Sequence, residues 1–350
     1  MPALAVAQAF RAEHPEGELL IVGKAGGPEE RLVPAAGFAL ETVAVRGLDR
    51  DAAWKNLALP ALIPLAARRG LRIVDAFRPD VVLGMGGYAM APAVWAARRR
   101  RIPYVLHEKD VRPGLAIRMF AAGAAVVCST LPGTEARLGP GVRTVLTGIP
   151  LRAGFEPRSP AAPARTLLVT GGSQGARRLN HAVWEALDAL LERFAEVIHV
   201  AGRQGAGEVE RLGAGRPRYR GLAFSDDMPA LMARADLVVS RAGVGTIGEI
   251  TAVGLPSLLV PGTFGGAHQE LNAQALVAAG AAVRVADADF TGPRLLKELD
   301  ALDAERLRAM ARASAALGRP DADRRVLRVL EEVSAGAAPP PFPSPGGRES

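Results

Sequence analysis

At 350 residues the chain has the length for two domains, and with 49% hydrophobic but only 5% aromatic residues its core must be aliphatic, which suits buried parallel strands under Ala-rich helices. A single cysteine, Cys128, excludes a disulfide framework, and the longest apolar run, residues 57–67, is interrupted by Pro60 and Pro64 and is too short to span a bilayer. The net charge of +7 sits mostly in residues 1–150, with 19 Lys+Arg against 13 Asp+Glu; this favours an anionic partner such as pyrophosphate or a lipid surface, while no aromatic platform or recognised module supports nucleic acid.

The opening "MPALAVAQAF" lacks the basic flank of a signal peptide. Short apolar runs predict strands at 19–22, 81–83, 104–106, 125–127 and 144–146, then at 167–169, 197–200, 237–239, 257–260 and 282–285. Helical stretches alternate with them, so the fold class is α/β, with parallel sheets covered on both faces. The stretch 153–165, "AGFEPRSPAAPAR", holds three prolines and reads as a linker between domains at 1–152 and 166–334. An amphipathic helix is predicted at 321–333, and the tail 335–350, "AGAAPPPFPSPGGRES", should be disordered.

A weak internal repeat supports two similar domains. "VVLGMGGYAMAPAVWAARRRRIPYVLHE" begins at Val81 and "LVVSRAGVGTIGEITAVGLPSLLVPG" at Leu237. Each runs strand, glycine turn, helix, then a basic residue or Gly, an apolar residue, Pro and a second strand. Two doubly wound domains would place their strand ends across a cleft, where ligands of such sheets bind.

Three glycine turns carry the chemistry. "TGGSQGARRLN" (170–180) leads from a strand into a helix, where backbone N–H groups and the helix dipole favour an anion. Ser173 can add a hydroxyl and Gln174 an amide. This turn is not GxGxxG and no Walker lysine follows it, so dinucleotide and P-loop readings of it are weak. The second turn, Arg241 to Thr246, is followed by Glu249, whose carboxylate can accept from both hydroxyls of a ribose. Two such turns and a carboxylate in one domain point to a nucleoside diphosphate. The third, Gly84 to Tyr88 in the basic half, suits an anionic acceptor. Asp287-Ala-Asp289 is nominally a DxD metal motif, but it trails a predicted strand edge and is discounted.

Taken together, these stretches resemble the MurG family of GT-B glycosyltransferases, which move N-acetylglucosamine from UDP-N-acetylglucosamine to lipid I to make lipid II for peptidoglycan. The resemblance rests on "PALAVA" (2–7), "RPDVVLGMGGY" (78–88), "IPYVLHE" (102–108), "TGGSQGARRLN" (170–180), "FSDDM" (224–228), "RAGVGTIGEITAVGLPSLLVP" (241–261) and "HQELNA" (268–273). It implies a GT-B fold of two Rossmann-like domains facing a cleft. On the donor side it implies Arg152, Gly172, Ser173 and Gln174 by the diphosphate or sugar, and the Ser225 backbone at the uracil edge. Val244, Gly245 and Thr246 would line the diphosphate, Glu249 would hold the ribose, and His268 and Gln269 the sugar hydroxyls. Gly86, Gly87 and Tyr88 would face the acceptor pyrophosphate. No metal or other cofactor is implied; helix dipoles and Arg take that role at the departing UDP.

The chain departs from the family pattern in three places. It starts inside the first helix, so the strand and Gly-Gly-Thr-Gly-Gly-His loop that usually precede it, with a histidine often proposed as base, are expected upstream of Met1, and this form is expected to turn over poorly. Asp110 and Ile149 stand where Asn is usual, Asp110 on the donor side. For the catalytic base the chain offers Glu108 and His107, acting directly or by orienting another group. Because lipid I is a membrane lipid, docking on an anionic membrane at the cytoplasmic face is expected. Trp54, Leu57, Leu59, Leu62, Ile63 and Leu65, with Arg68, Arg69 and the run 98–101, form the candidate surface. The rival readings are another GT-B enzyme (a UDP-sugar diacylglycerol transferase or a UDP-N-acetylglucosamine 2-epimerase) and a non-catalytic nucleotide-sugar-binding protein.

Overall fold

The computed structural model describes residues 2–47, 59–172, 175–263 and 268–336. The chain divides into two units, one of residues 1–150 rejoined by the chain from Asp321, the other Leu151–Pro320.

The first unit runs α1 (Pro2–Glu13), β1 (Leu20–Lys24), α2 (Glu29–Ala35), β2 (Ala39–Val43), α3 (Leu59–Phe77), β3 (Val82–Gly84), α4 (Ala91–Arg100), β4 (Tyr104–Glu108), α5 (Leu115–Phe120), β5 (Val126–Ser129) and β6 (Thr144–Leu146). Its strands form two parallel sheets, β1-β2 and β3-β4-β5-β6. Successive residues of a strand point to opposite faces, and here both faces are covered. Tyr104, Leu106 and Val127 meet Val94, Ile117 and Phe120. Val105, Val126, Cys128 and Val145 pack with Val6 in a second cluster. That double burial is why these strands read as unbroken apolar runs.

The second unit runs β7 (Thr166–Thr170), α6 (Arg177–Glu185), α7 (Leu187–Arg193), β8 (Glu196–Val200), α8 (Ala206–Gly213), β9 (Tyr219–Leu222), α9 (Met228–Arg234), β10 (Leu237–Ser240), α10 (Val244–Val253), β11 (Ser257–Leu259), α11 (His268–Ala278), β12 (Ala282–Arg284), α12 (Gly292–Asp300) and α13 (Ala304–Leu317). Its parallel sheet has the order β12-β11-β10-β7-β8-β9. The chain winds outward both ways from the β7/β10 pair, a topological switch point, where such sheets bind ligands beyond the strand carboxyl ends.

The last described helix, α14 (Ala322–Ser334), belongs with the first unit, which corrects the expected domain end at 334. Val326, Val329 and Val333 join the cluster of Val6, Val105 and Cys128, and His14 pairs with Glu331 at 2.6 Å. Amphipathic periodicity marks α14 as a covering helix but says nothing about which sheet it covers. The expected linker 153–165 is likewise part of the second unit. Buried Asp236 accepts from the backbone N–H of Ala161 (2.8 Å), Arg165 (3.0 Å) and Thr166 (3.0 Å) and from Arg158 Nη2 (2.9 Å), so prolines here mark an irregular but pinned segment.

The internal repeat has a geometric counterpart. After α4, Arg101 turns left-handed (φ 61°), and the Ile102 N–H reaches back to Ala97 O at 2.9 Å. After α10, Gly254 does the same (φ 83°), and the Leu255 N–H reaches Ile250 O at 3.0 Å. Both are Schellman endings that deliver the chain through Pro103 or Pro256 into the next strand. Two strands, β2 and β9, go unpredicted. Both lie at sheet edges, and their sequences, "ALETV" and "YRGL", mix polar residues with apolar ones because one side is less covered.

Candidate active site

In the second unit two glycine turns flank the switch point. The first leaves β7 at Gly171 and enters α6. Gly172 and Gly175 take φ of 76° and 74°, the region glycine tolerates. Close packing also demands glycine: a Cβ on Gly171 would lie 2.5 Å from Ala176 N, and one on Gly175 would lie 2.7 Å from Ala201 O. Ser173 and Gln174 lie outside the described residues. The second turn leaves β10 at Arg241 and enters α10 at Val244. Gly243 is its N-cap in extended backbone, and among the described residues no side chain caps the helix, so the amides of Val244, Gly245 and Thr246 start α10 with no side-chain acceptor among them. Uncapped amides at a helix start favour an anion.

Glu249 sits one turn into α10. Burial raises its carboxyl to about 7, and the charge of Arg152 acts against that rise. Both residues of the pair belong to the second unit. His268 and Gln269 open α11. Gln269 Oε1 accepts from the Gly262 N–H at 2.8 Å, fixing the loop after β11, while buried His268 Nδ1 has no hydrogen bond among the described residues. Ser225 follows β9; its Oγ accepts from the Asp227 N–H at 3.2 Å, with Phe224 exposed beside it. These segments all leave the carboxyl ends of parallel strands.

Three residues of this site had no role in the sequence reading. Arg241 pairs with Asp287 Oδ1 at 2.6 Å and donates to Val260 O at 3.0 Å, while Arg178 lies 3.7 Å from Asp287 Oδ2. Asp287 therefore faces two guanidinium groups and anchors the second turn. Asn272, fully buried, reaches Ala242 O at 3.5 Å. Arg241, Arg178 and Asn272 all stand inside the quoted stretches, and an Arg opening a glycine turn was the available signal.

In the first unit, Gly86 and Gly87 turn with φ of 78° and 73° between β3 and a short turn at Tyr88–Met90. Tyr88 is half-exposed, and its ring lies against Gly47. His107 and Glu108 end β4, as expected, and both are buried, with His107 Nδ1 making no hydrogen bond among the described residues. His107 is 0% exposed, its Nε2 is bonded to Gly148 O at 2.9 Å, and burial pulls its pKa down to about 4. Glu108 is pushed up by burial, and its two oxygens accept from the Asp110 N–H (3.0 Å) and the Gly114 N–H (2.8 Å). Through these two bonds Glu108 orients the loop that follows β4. Asp110 and Ile149 both lie in this unit.

Residues 1–128 match the glycosyltransferase family 28 N-terminal domain and residues 166–326 the family 28 C-terminal domain. A UDP-N-acetylglucosamine–N-acetylmuramyl-(pentapeptide) pyrophosphoryl-undecaprenol N-acetylglucosamine transferase of Paenarthrobacter aurescens is 40% identical over 95% of this chain and 93% of its own. The chain belongs to the MurG family, within glycosyltransferase family 28. The crystal structure of Acinetobacter baumannii MurG superposes with a TM-score of 0.79 at 27% identity, over 95% of each chain. A structure described as a UDP-N-acetylglucosamine 2-epimerase of Listeria monocytogenes matches with a TM-score of 0.69 at 16% identity, over 98% of this chain and 95% of its own. That likeness is one of fold alone. The expected two-domain GT-B architecture and glycosyltransferase class hold for this chain as for its family.

Proposed function

We propose that this chain transfers N-acetylglucosamine from UDP-N-acetylglucosamine to the C4 hydroxyl of the muramyl sugar of lipid I, with inversion, yielding lipid II. The observation that carries this reading is the set of groups gathered in the second unit: two glycine turns at the β7/β10 switch point and, one turn beyond the second, the half-buried carboxylate of Glu249. The turns suit a diphosphate, and Glu249 suits the ribose hydroxyls. Gln269, beside Gly262, and His268 suit the hydroxyls of the sugar, and the Ser225 backbone suits the uracil edge. Ser173 and Gln174 belong with the first turn by their place in the motif.

The acceptor hydroxyl attacks C1 and gives up its proton to solvent as the bond from C1 to the β-phosphate oxygen breaks, and the electron pair of that bond leaves on UDP. Backbone amides at the starts of α6 and α10, with Arg152 near Glu249, stabilise that charge. No cation is needed in this scheme, and Asp287, the first residue of the nominal DxD, is taken by Arg241 and Arg178. The first unit takes the acceptor, with Gly86, Gly87 and Tyr88 toward its pyrophosphate, and with Glu108 holding the neighbouring 109–114 loop in place.

The protein works at the cytoplasmic face of the membrane as a peripheral protein. Among the described residues no helix is long and apolar enough to cross a bilayer. Helix α3 exposes Ile63 (63%) and Leu65 (58%), with Arg68 and Arg72 exposed further along it. Trp54 and Leu57 lie outside the described residues.

Given UDP-N-acetylglucosamine alone, the purified protein should release no UDP. Adding lipid I should start release in step with lipid II formation, in EDTA as in magnesium. Release without the lipid acceptor, or an absolute need for magnesium, would overturn the reading.

A further inference from the structure

A buried polar chain stands behind the first glycine turn of the second unit. His199, on β8, is 0% exposed, Asn180, on α6, 3%, and Tyr219, on β9, 4%. His199 Nδ1 lies 3.0 Å from the Tyr219 hydroxyl, and His199 Nε2 lies 3.1 Å from Asn180 Oδ1. Asn180 Nδ2 donates to Ala201 O at 2.8 Å. The rings of Trp184 and Tyr219 pack on His199, with centroids 6.0 and 6.2 Å away.

The direction of every bond is forced. A backbone carbonyl can only accept, so Asn180 must present its NH₂ to Ala201 and its oxygen to His199. That oxygen can only accept, so His199 Nε2 must carry a proton. Burial holds His199 neutral, its pKa down to about 3, so Nδ1 carries the lone pair and accepts from the Tyr219 hydroxyl. Burial lifts the Tyr219 phenol to about 12, which keeps that donor protonated. One arrangement satisfies all of these groups, and reversing any link sets two acceptors face to face.

The chain ends on the turn itself. Ala201 O, which receives the Asn180 bond, is the atom a Cβ on Gly175 would strike. The Gly175 N–H closes the turn on Gly172 O at 3.0 Å, and the Asn180 N–H bonds Ala176 O at 2.9 Å in the first turn of α6. The position of Ala201 thus sets how far Gly175 can settle, and with it the amides at the start of α6. None of the three side chains is exposed, so none reaches a ligand in solution.

We infer that Tyr219 and His199, acting through Asn180 and Ala201, are positioning residues for the anion-binding turn at Gly172–Gly175, with His199 held as its Nε2–H tautomer. This rests on the reading of that turn as part of the donor diphosphate site. It extends the reading from the turn to two strands behind it.

Two measurements on the full-length protein test it. In the ¹⁵N-resolved imidazole spectrum, His199 should show a slowly exchanging Nε2–H and an unprotonated Nδ1 near neutral pH. An Nδ1–H tautomer or an imidazolium would overturn the inference, whether or not any variant folds. In steady-state kinetics, His199→Leu should raise KM for UDP-N-acetylglucosamine about tenfold or more, the worth of a well-made buried hydrogen bond. Its kcat and its KM for the lipid acceptor should stay within about twofold of the parent. His199→Gln, which can donate and accept in the same places, should recover most of the loss. Equal changes in both KM values, or a fall in Tm with neither KM moved, would reduce the chain to a packing element and overturn the inference. A parent protein that binds no UDP-sugar would instead sink the donor-site reading, while the tautomer would still be decided by the spectrum.

Discussion

Glu249 is the residue whose chemistry is most exposed to test. Burial lifts its carboxyl from 4.5 to about 7, with Arg152 opposing. As a ribose acceptor it must be ionised, so UDP affinity should increase as pH goes from about 6 to about 8, and Glu249→Gln should bind weakly with a flat profile. The stability consequence has the opposite sign. Between its unfolded value and about 7 the folded state holds the extra proton, so stability falls as pH rises through that window. Above about pH 7, Glu249→Gln should therefore be more stable than the parent, by about 1–3 kcal/mol. Urea melts at two pH values check the sign, and calorimetry with UDP checks the affinity. At this scale the sequence was informative where glycine is obligatory. A Gly-rich turn is visible because only glycine fits, as Gly175 against Ala201 O shows. It was less informative about His107 and Glu108, whose types suit a base. Their burial and bonding are set by residues elsewhere in the fold, and no spacing in "VLHE" reveals that.

Among elements, the two repeated strand–turn–helix–strand segments end their helices in the same left-handed step, once with Arg101 and once with Gly254. A non-glycine residue pays about 1 kcal/mol there. Arg101→Gly should accordingly raise the Tm of the first unit by a few °C, about the shift that 1 kcal/mol gives in a unit of this size. Gly254→Ala should lower that of the second by at least as much, since φ is 83° and the new Cβ would lie 3.2 Å from Ala315 Cβ. Calorimetric scans of the two variants decide this; a neutral or opposite pair of shifts would contradict the shared geometry. Central strands were legible as apolar runs because both faces are covered, whereas β2 and β9, at edges, were not. The prolines of 153–165 suggested a loose connection, yet three hydrogen bonds to Asp236 tie it to the second unit. A carboxylate more than 70 residues further along the chain is invisible to a local reading.

For the whole molecule, a lipid acceptor asks for a membrane-facing surface, and the first unit carries both the excess of positive charge and the exposed Ile63 and Leu65 of α3. Vesicles containing anionic phospholipid should carry the protein on flotation, and Ile63→Asp with Leu65→Asp should abolish that while leaving UDP binding intact. Equal flotation of parent and variant would remove α3 from the docking surface. Part of the basic character is already spent inside the unit, since Arg100 is paired with Asp75 at 2.7 Å and Arg69 with Glu41, so exposed Arg68 and Arg72 are the better candidates for lipid phosphate. By itself the sequence determined the α/β class, the pair of similar domains, the order of the buried strands and the glycine turns that follow them, because apolar runs and obligatory glycines are local consequences of burial and close approach. Only the tertiary structure decided that α14 returns to cover the first unit, that Glu108 fastens a loop, that Asp287 faces arginines, and that His199 stands behind the first glycine turn of the second unit. Those outcomes depend on which distant residues share a face or a hydrogen bond, and chain separation carries no record of that.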